Sequence, residues 1–185
     1  MLGRRPTLTD MPQSSRIVLV LGGTRSGKSE VAERIACAPG LPVAYLATGS
    51  GDSEGMDARI ERHRSRRPAD WTTVECGPQL VAALDAHPAG TVLVDSLGTW
   101  LAAHHDFDAD TGVLLDALRR RSGLTVIVSE EVGLSVHPTT DLGRRFVDAM
   151  GDLNQAVASL AHDVALVVAG RTLWLPAEAD EAGPR

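Results

Sequence analysis

Aromatic residues are scarce in this sequence: three Trp, two Phe and one Tyr among 185 residues. That excludes a core built on rings, so packing has to rest on aliphatic side chains within an ordinary globular composition. Cysteine is scarcer still. Cys37 and Cys76 form neither a C-x-x-C pair nor a zinc spacing, and they read as two buried or idle thiols in a reducing cytoplasm. No apolar run approaches the roughly 20 residues of a membrane span. The first run, residues 17–21, is too short for the core of a signal peptide, and Arg4-Arg5 has no such core behind it. Positive charge is not in excess. The net charge of −6 gives no global attraction for nucleic acid or an anionic membrane, so phosphate has to be bound by local features. Lysine is the rarest basic side chain: Lys28 is the only one among 18 basic residues.

What is present is an alternation of short apolar runs and helical patterns. Residues 1–15 are polar, contain Pro6 and Pro12, and read as a mobile leader within which Met11 is a second candidate start. Strands are expected at 17–21, 43–47, 71–75, 91–94, 124–129 and 164–169. Helices are expected at 28–37, 56–67, 80–86, 97–103, 113–121 and from Asp141 to about residue 161, the last with Asp141 as its cap. In that long helix Leu142, Phe146, Met150, Leu153 and Val157 form the apolar face. A turn at Gly170-Arg171 leads into an antiparallel strand at 172–175, and the acidic residues 176–185 read as a disordered tail. The expectation is a single α/β domain over 16–175: a three-layer, mostly parallel sheet with a C-terminal antiparallel strand. In such sheets ligands bind at the carboxyl ends of the strands.

The lone lysine lies in a recognisable place. Gly22, Gly23, Thr24, Arg25, Ser26, Gly27, Lys28 and Ser29 form the pattern G-x-x-x-x-G-K-S, between a buried strand and a helix. Glycines let the backbone curl so that successive N–H groups point inward, and the helix adds its positive end. Lys28 then reaches the β- and γ-phosphates of a nucleotide, and Ser29 holds Mg²⁺. These features predict a P-loop NTPase of the RecA-like kind. Asp95 closes the strand at 91–94; it could hold the Mg²⁺ through water, or simply end a strand and cap the helix that follows.

Arg59, Arg62, His63, Arg64, Arg66 and Arg67 fall within nine residues. Taken alone, this stretch reads first as a solvated helix face carrying a surface histidine. It could also gather phosphates, and a neutral imidazole is a competent nucleophile. His104 and His105 stand before the acidic residues 106–110, which reads as an exposed loop rather than a metal site.

The whole pattern resembles the bifunctional adenosylcobinamide kinase/adenosylcobinamide-phosphate guanylyltransferases of cobalamin synthesis. The likeness rests on the phosphate loop; on Ala44-Tyr45-Leu46-Ala47-Thr48; on Asp57 to Arg64 with Arg67-Pro68 and Trp71 to Glu75; and on Val94 to Leu101. It continues through Glu131-Val132-Gly133, Arg144-Arg145-Phe146, Leu153-Asn154-Gln155 and Val167 to Gly170. It covers residues 17–175 in the family's order. The resemblance implies two reactions. In the first, ATP or GTP phosphorylates the aminopropanol hydroxyl of adenosylcobinamide. In the second, His63 attacks the α-phosphate of GTP, and the guanylyl-histidine passes GMP to adenosylcobinamide phosphate, giving adenosylcobinamide-GDP. It implies catalytic roles for His63 and Lys28. Nucleotide contacts are implied at Ala47, Thr48, Gly49, Arg64, Ser65, Arg66, Arg67, Glu75 and Asp95, besides the phosphate loop, and a homo-oligomer is implied as well. The sequence departs from the family at Glu130, which stands where Asn is usual, at Ser135 in place of glycine, and at His137 in place of an apolar residue. An extra carboxylate near the phosphates would weaken anion binding or alter the fit of the substrate. Two other readings are a P-loop small-molecule kinase with one activity and a nucleotide-binding module without turnover.

Overall fold

A computed structural model describes residues 15–49 and 68–176. The basic stretch at 56–67, nearly all of the leader and nearly all of the tail lie outside these residues. The described chain forms seven strands: β1 (Arg16–Gly22), β2 (Val43–Ala47), β3 (Thr72–Glu75), β4 (Thr91–Asp95), β5 (Leu124–Glu130), β6 (Asp163–Val168) and β7 (Arg171–Leu175). They make one sheet in the order β3-β2-β4-β5-β1-β6-β7, parallel throughout except for the β6–β7 pair.

The period of two along each buried strand divides the core. From β1, Ile17, Leu19 and Leu21 face one side, where α2 (Leu80–Ala86), α3 (Leu97–Ala102), α4 (Thr111–Arg120) and α5 (Asp141–Leu160) supply Leu80, Trp100, Leu114 and Met150. Val18 and Val20 face the other side, against Val31, Ala32 and Ile35 of α1 (Lys28–Cys37). Leu19, Val20, Leu46, Leu93 and Ile127 have no exposed surface. Each such side chain contributes about 2 kcal/mol by leaving water. Burial on both faces explains why these strands read as continuous apolar runs rather than alternating ones.

Several boundaries differ from the sequence expectation, each for a local reason. Thr140, not Asp141, caps α5: its hydroxyl accepts from the Gly143 N–H at 3.1 Å, and Asp141 begins the helix. Leu142 is 55% exposed, whereas Met150, Leu153 and Val157 are buried. The first turn of α5 overhangs the layer, and packing begins a turn later, where Phe146 meets Phe107 edge-on at 5.1 Å. The final hairpin turns at Ala169-Gly170 rather than Gly170-Arg171. Both residues have positive φ, 50° and 73°, as a tight two-residue turn of this hand requires, and Arg171 already pairs with Val168. Cys37 is exposed and Cys76 half-buried, and both are free thiols. Most consequential for the site, β5 runs one residue further than expected, so Glu130 is its last residue and sits in register with Gly22.

Candidate functional site at the carboxyl edge of the sheet

Four strands deliver polar groups to the same edge: Gly22 from β1, Glu130 from β5, Asp95 from β4 and Ala47 from β2. β1 hands the chain to a loop in which Gly23, Thr24 and Arg25 are exposed, and the Ser26 N–H closes on the Gly23 carbonyl at 3.2 Å. Gly27 then adopts φ 93° as the residue before α1, a left-handed conformation that a side chain would strain. It also lies against Gly170, whose N–H donates to the Ser26 carbonyl at 2.8 Å. The β6–β7 turn thus props the phosphate loop from behind. Lys28 and Ser29 open α1 and are 5% and 8% exposed, which is unusual for a lysine and fits a group held for a specific anion. Ser26 Oγ is buried without a hydrogen-bond partner.

Asp95 lies two strands from β1, about 10 Å away. The Tyr45 hydroxyl donates to its Oδ2 at 2.6 Å, fixing the carboxylate from the neighbouring strand. A hydroxyl from Ser29 and a carboxylate from Asp95 are hard oxygen donors of the kind Mg²⁺ takes, with water filling most of its shell. The residues present therefore fit such an ion.

Glu130 occupies the gap between these two groups. Its carboxylate accepts from the Ser96 hydroxyl at 3.0 Å to each oxygen and from the Gly98 N–H at 3.0 Å, and Lys28 Nζ lies 3.5 Å from Oε1. From the core side, Asn154 Nδ2 donates to the Glu130 carbonyl at 3.0 Å, and Ser129 Oγ donates to Asn154 Oδ1 at 2.6 Å. Asn154 is 8% exposed and Ser129 fully buried, so this short network fixes the end of β5.

The sequence-derived positions divide into two groups. Gly22 to Ser29 and Asp95 gather around β1 and β4. Ala47 and Glu75 end β2 and β3, and Thr48 and Gly49 follow β2; β2 lies three strands, about 14 Å, and β3 four strands, about 19 Å, from β1. The Thr48 side chain is turned inward. It is 1% exposed, donates to the Ser96 carbonyl at 2.6 Å and meets the Thr99 hydroxyl, while the Thr48 N–H donates to the Asp95 carbonyl at 3.1 Å. His63, Arg64, Ser65, Arg66 and Arg67 lie outside the described residues. Sequence reasoning passed over Tyr45, Ser96, Gly98 and Gly170 as site residues, and it noted Glu130 only as a departure from a pattern. The one available signal was Glu130's position at the carboxyl end of an apolar run.

The model of a family described as cobinamide kinase / cobinamide phosphate guanyltransferase matches residues 18–175. The chain belongs to that family. Within the cobinamide kinase/guanyltransferase family, it is 41% identical over 168 residues to the bifunctional adenosylcobalamin biosynthesis protein CobP of Pseudomonas aeruginosa, covering 86% of this chain and 97% of that one. It is 34% identical to the CobU proteins of Salmonella typhimurium and Escherichia coli, covering 83% of this chain and 96% of each. Among solved structures, a prototypical ATPase from the type III secretion system of pathogenic bacteria superposes with a TM-score of 0.52 at 12% identity. The superposition takes in 83% of this chain but about half of that ATPase, 51%, and the likeness is one of fold. No described helix is long and apolar enough to cross a membrane.

Proposed function

We propose that this chain phosphorylates adenosylcobinamide with ATP or GTP and then transfers GMP from GTP, through a guanylyl-histidine at His63, to give adenosylcobinamide-GDP. The observation that carries the reading is the phosphate loop, with the buried Lys28 at the carboxyl edge of the sheet and family membership over residues 18–175.

In the first reaction the loop N–H groups and Lys28 draw in the β- and γ-phosphates and hold the terminal phosphorus against the acceptor hydroxyl. Little covalent chemistry is asked of the protein; positioning and charge do the catalysis. Ser29 and Asp95 would hold Mg²⁺, the second through water, with Tyr45 fixing the carboxylate. When bound, that ion supplies neutralisation of the phosphate oxygens. In the second reaction the neutral His63 imidazole attacks the α-phosphorus of GTP, and pyrophosphate leaves toward Arg64, Arg66 and Arg67, whose charge stabilises it. Ala47 and Gly49, at the end of β2 and about 14 Å from the phosphate-loop strand, and Glu75, at the end of β3 and about 19 Å from it, also serve the nucleotide; the separation supports two reaction zones rather than one. The products of a small-molecule pathway call for a cytoplasmic enzyme, and a homo-oligomer would enlarge the surface offered to so wide an acceptor.

The test uses GTP radiolabelled at the α-phosphorus. Incubation with Mg²⁺ should leave acid-labile, alkali-stable label on the denatured protein, and His63→Ala should carry none. Phosphate transfer to cobinamide without any such label would reduce the protein to a kinase of one activity.

A further inference from the structure

We infer that Glu130 is a catalytic residue of the phosphorylation step: its Oε1 orients the acceptor hydroxyl and takes the proton. The inference rests on the kinase reading above and adds to it the group that receives the alcohol.

The argument begins with hydrogen-bond capacity. A carboxylate offers about four lone-pair sites. Oε2 accepts the Gly98 N–H, and a single Ser96 hydroxyl proton is shared at 3.0 Å between both oxygens. Among the described residues Oε1 has otherwise only Lys28 Nζ at 3.5 Å, longer than the roughly 3.2 Å limit of a good N–H···O bond. Oε1 is therefore the under-used oxygen, and it is the one beside Lys28. Since a lysine in this loop reaches the β- and γ-phosphates, a hydroxyl poised against the terminal phosphorus comes within reach of Oε1.

The carboxylate is also built in rather than incidental. It ends β5 in register with Gly22, and the Glu131 N–H donates to the Gly22 carbonyl at 3.1 Å. Asn154 holds its carbonyl from behind. Gly98 leaves the space it occupies: any Cβ there would collide with the carboxylate. The side chain keeps 26% exposure, so it is fixed yet open to a substrate.

The step balances as follows. The acceptor's O–H bond breaks and its proton passes to Oε1. The oxygen's electron pair forms a bond to the γ-phosphorus. The bond from that phosphorus to the β–γ bridging oxygen breaks, and its electron pair departs with the nucleoside diphosphate. Glu130 then returns its proton to water. An amide at this position would accept the same hydrogen bond but not the proton, so Glu130 adds general-base catalysis to an orienting position.

The experiment measures three quantities on the full-length protein and on Glu130→Gln: kinase kcat with cobinamide, nucleotide affinity by calorimetry, and labelling of the histidine by GTP. Glu130→Gln should lower kinase kcat about a hundredfold, with nucleotide affinity not weakened and histidine labelling unchanged. Glu130→Asp, which keeps a carboxylate, should retain at least about tenfold more turnover than the Gln variant. The inference falls if Glu130→Gln keeps its kinase kcat. It falls equally if the variant loses nucleotide affinity in parallel with turnover, because Glu130 would then be only a strut between Lys28 and α3. A wild-type protein that phosphorylates no cobinamide defeats the kinase reading itself, whereas active wild type with an unimpaired Gln variant defeats only the present one.

Discussion

Lys28 is buried at the head of α1 with its ammonium 3.5 Å from the Glu130 carboxylate, and in the proposed reaction that ammonium also meets the phosphates of the nucleotide. A guanidinium is planar and needs more room than a compact point charge, so Lys28→Arg should fare little better than Lys28→Ala. Both variants should lower nucleotide-dependent turnover by more than about a hundredfold, with their thermal transitions close to that of wild type; steady-state kinetics and calorimetric melting check this. The two thiols allow a second expectation. Desolvation raises the Cys37 thiol above its usual value, and Asp70 and Glu33 raise it further; burial raises Cys76. Because the thiolate is the reactive form, both should be alkylated slowly at neutral pH. Their rates should go on climbing in the alkaline range where an unperturbed thiol has levelled off. A pH series of alkylation read by mass spectrometry decides it.

At the scale of elements, the end of β5 depends on a side chain from a helix. Asn154→Ala leaves Ser129 Oγ and the Glu130 carbonyl without their partner in a buried place and should cost about 2 kcal/mol in urea unfolding. It should also lower kinase turnover, because Glu130 loses its rear support. Elements were largely legible in the sequence because their signals are local. Lys28–Cys37, Val43–Ala47 and Leu80–Ala86 have the bounds that periodicity and punctuation imply. The phosphate loop was legible for the same reason, its spacing lying within eight residues. Glu130 was not, because its meaning depends on neighbours in space. β5 comes late in the chain yet inserts between β1 and β4, and only that strand order brings residue 130 beside Lys28 and Ser96. Tyr45 escaped notice likewise, since its partner Asp95 is 50 residues away. Thr140 and Asp141 are both good caps, and the sequence alone does not choose between adjacent candidates.

For the molecule as a whole, the polar edge is wide and the aromatic supply small. A corrinoid is a broad ring, and the exposed aliphatic side chains Leu134, Val136 and Leu142 follow β5 on that side of the sheet. The proposed homo-oligomer predicts that sedimentation equilibrium finds this chain above monomer mass. A stable monomer at micromolar concentration would overturn that expectation.

The bond from Gly170 to the Ser26 carbonyl ties the order of synthesis to function. Residues 22–29 are made before the turn that braces them, which emerges some 140 residues later. A nascent chain on the ribosome should therefore have no braced triphosphate cradle until β6 and β7 have emerged, so competence arrives in one late step rather than growing along the way.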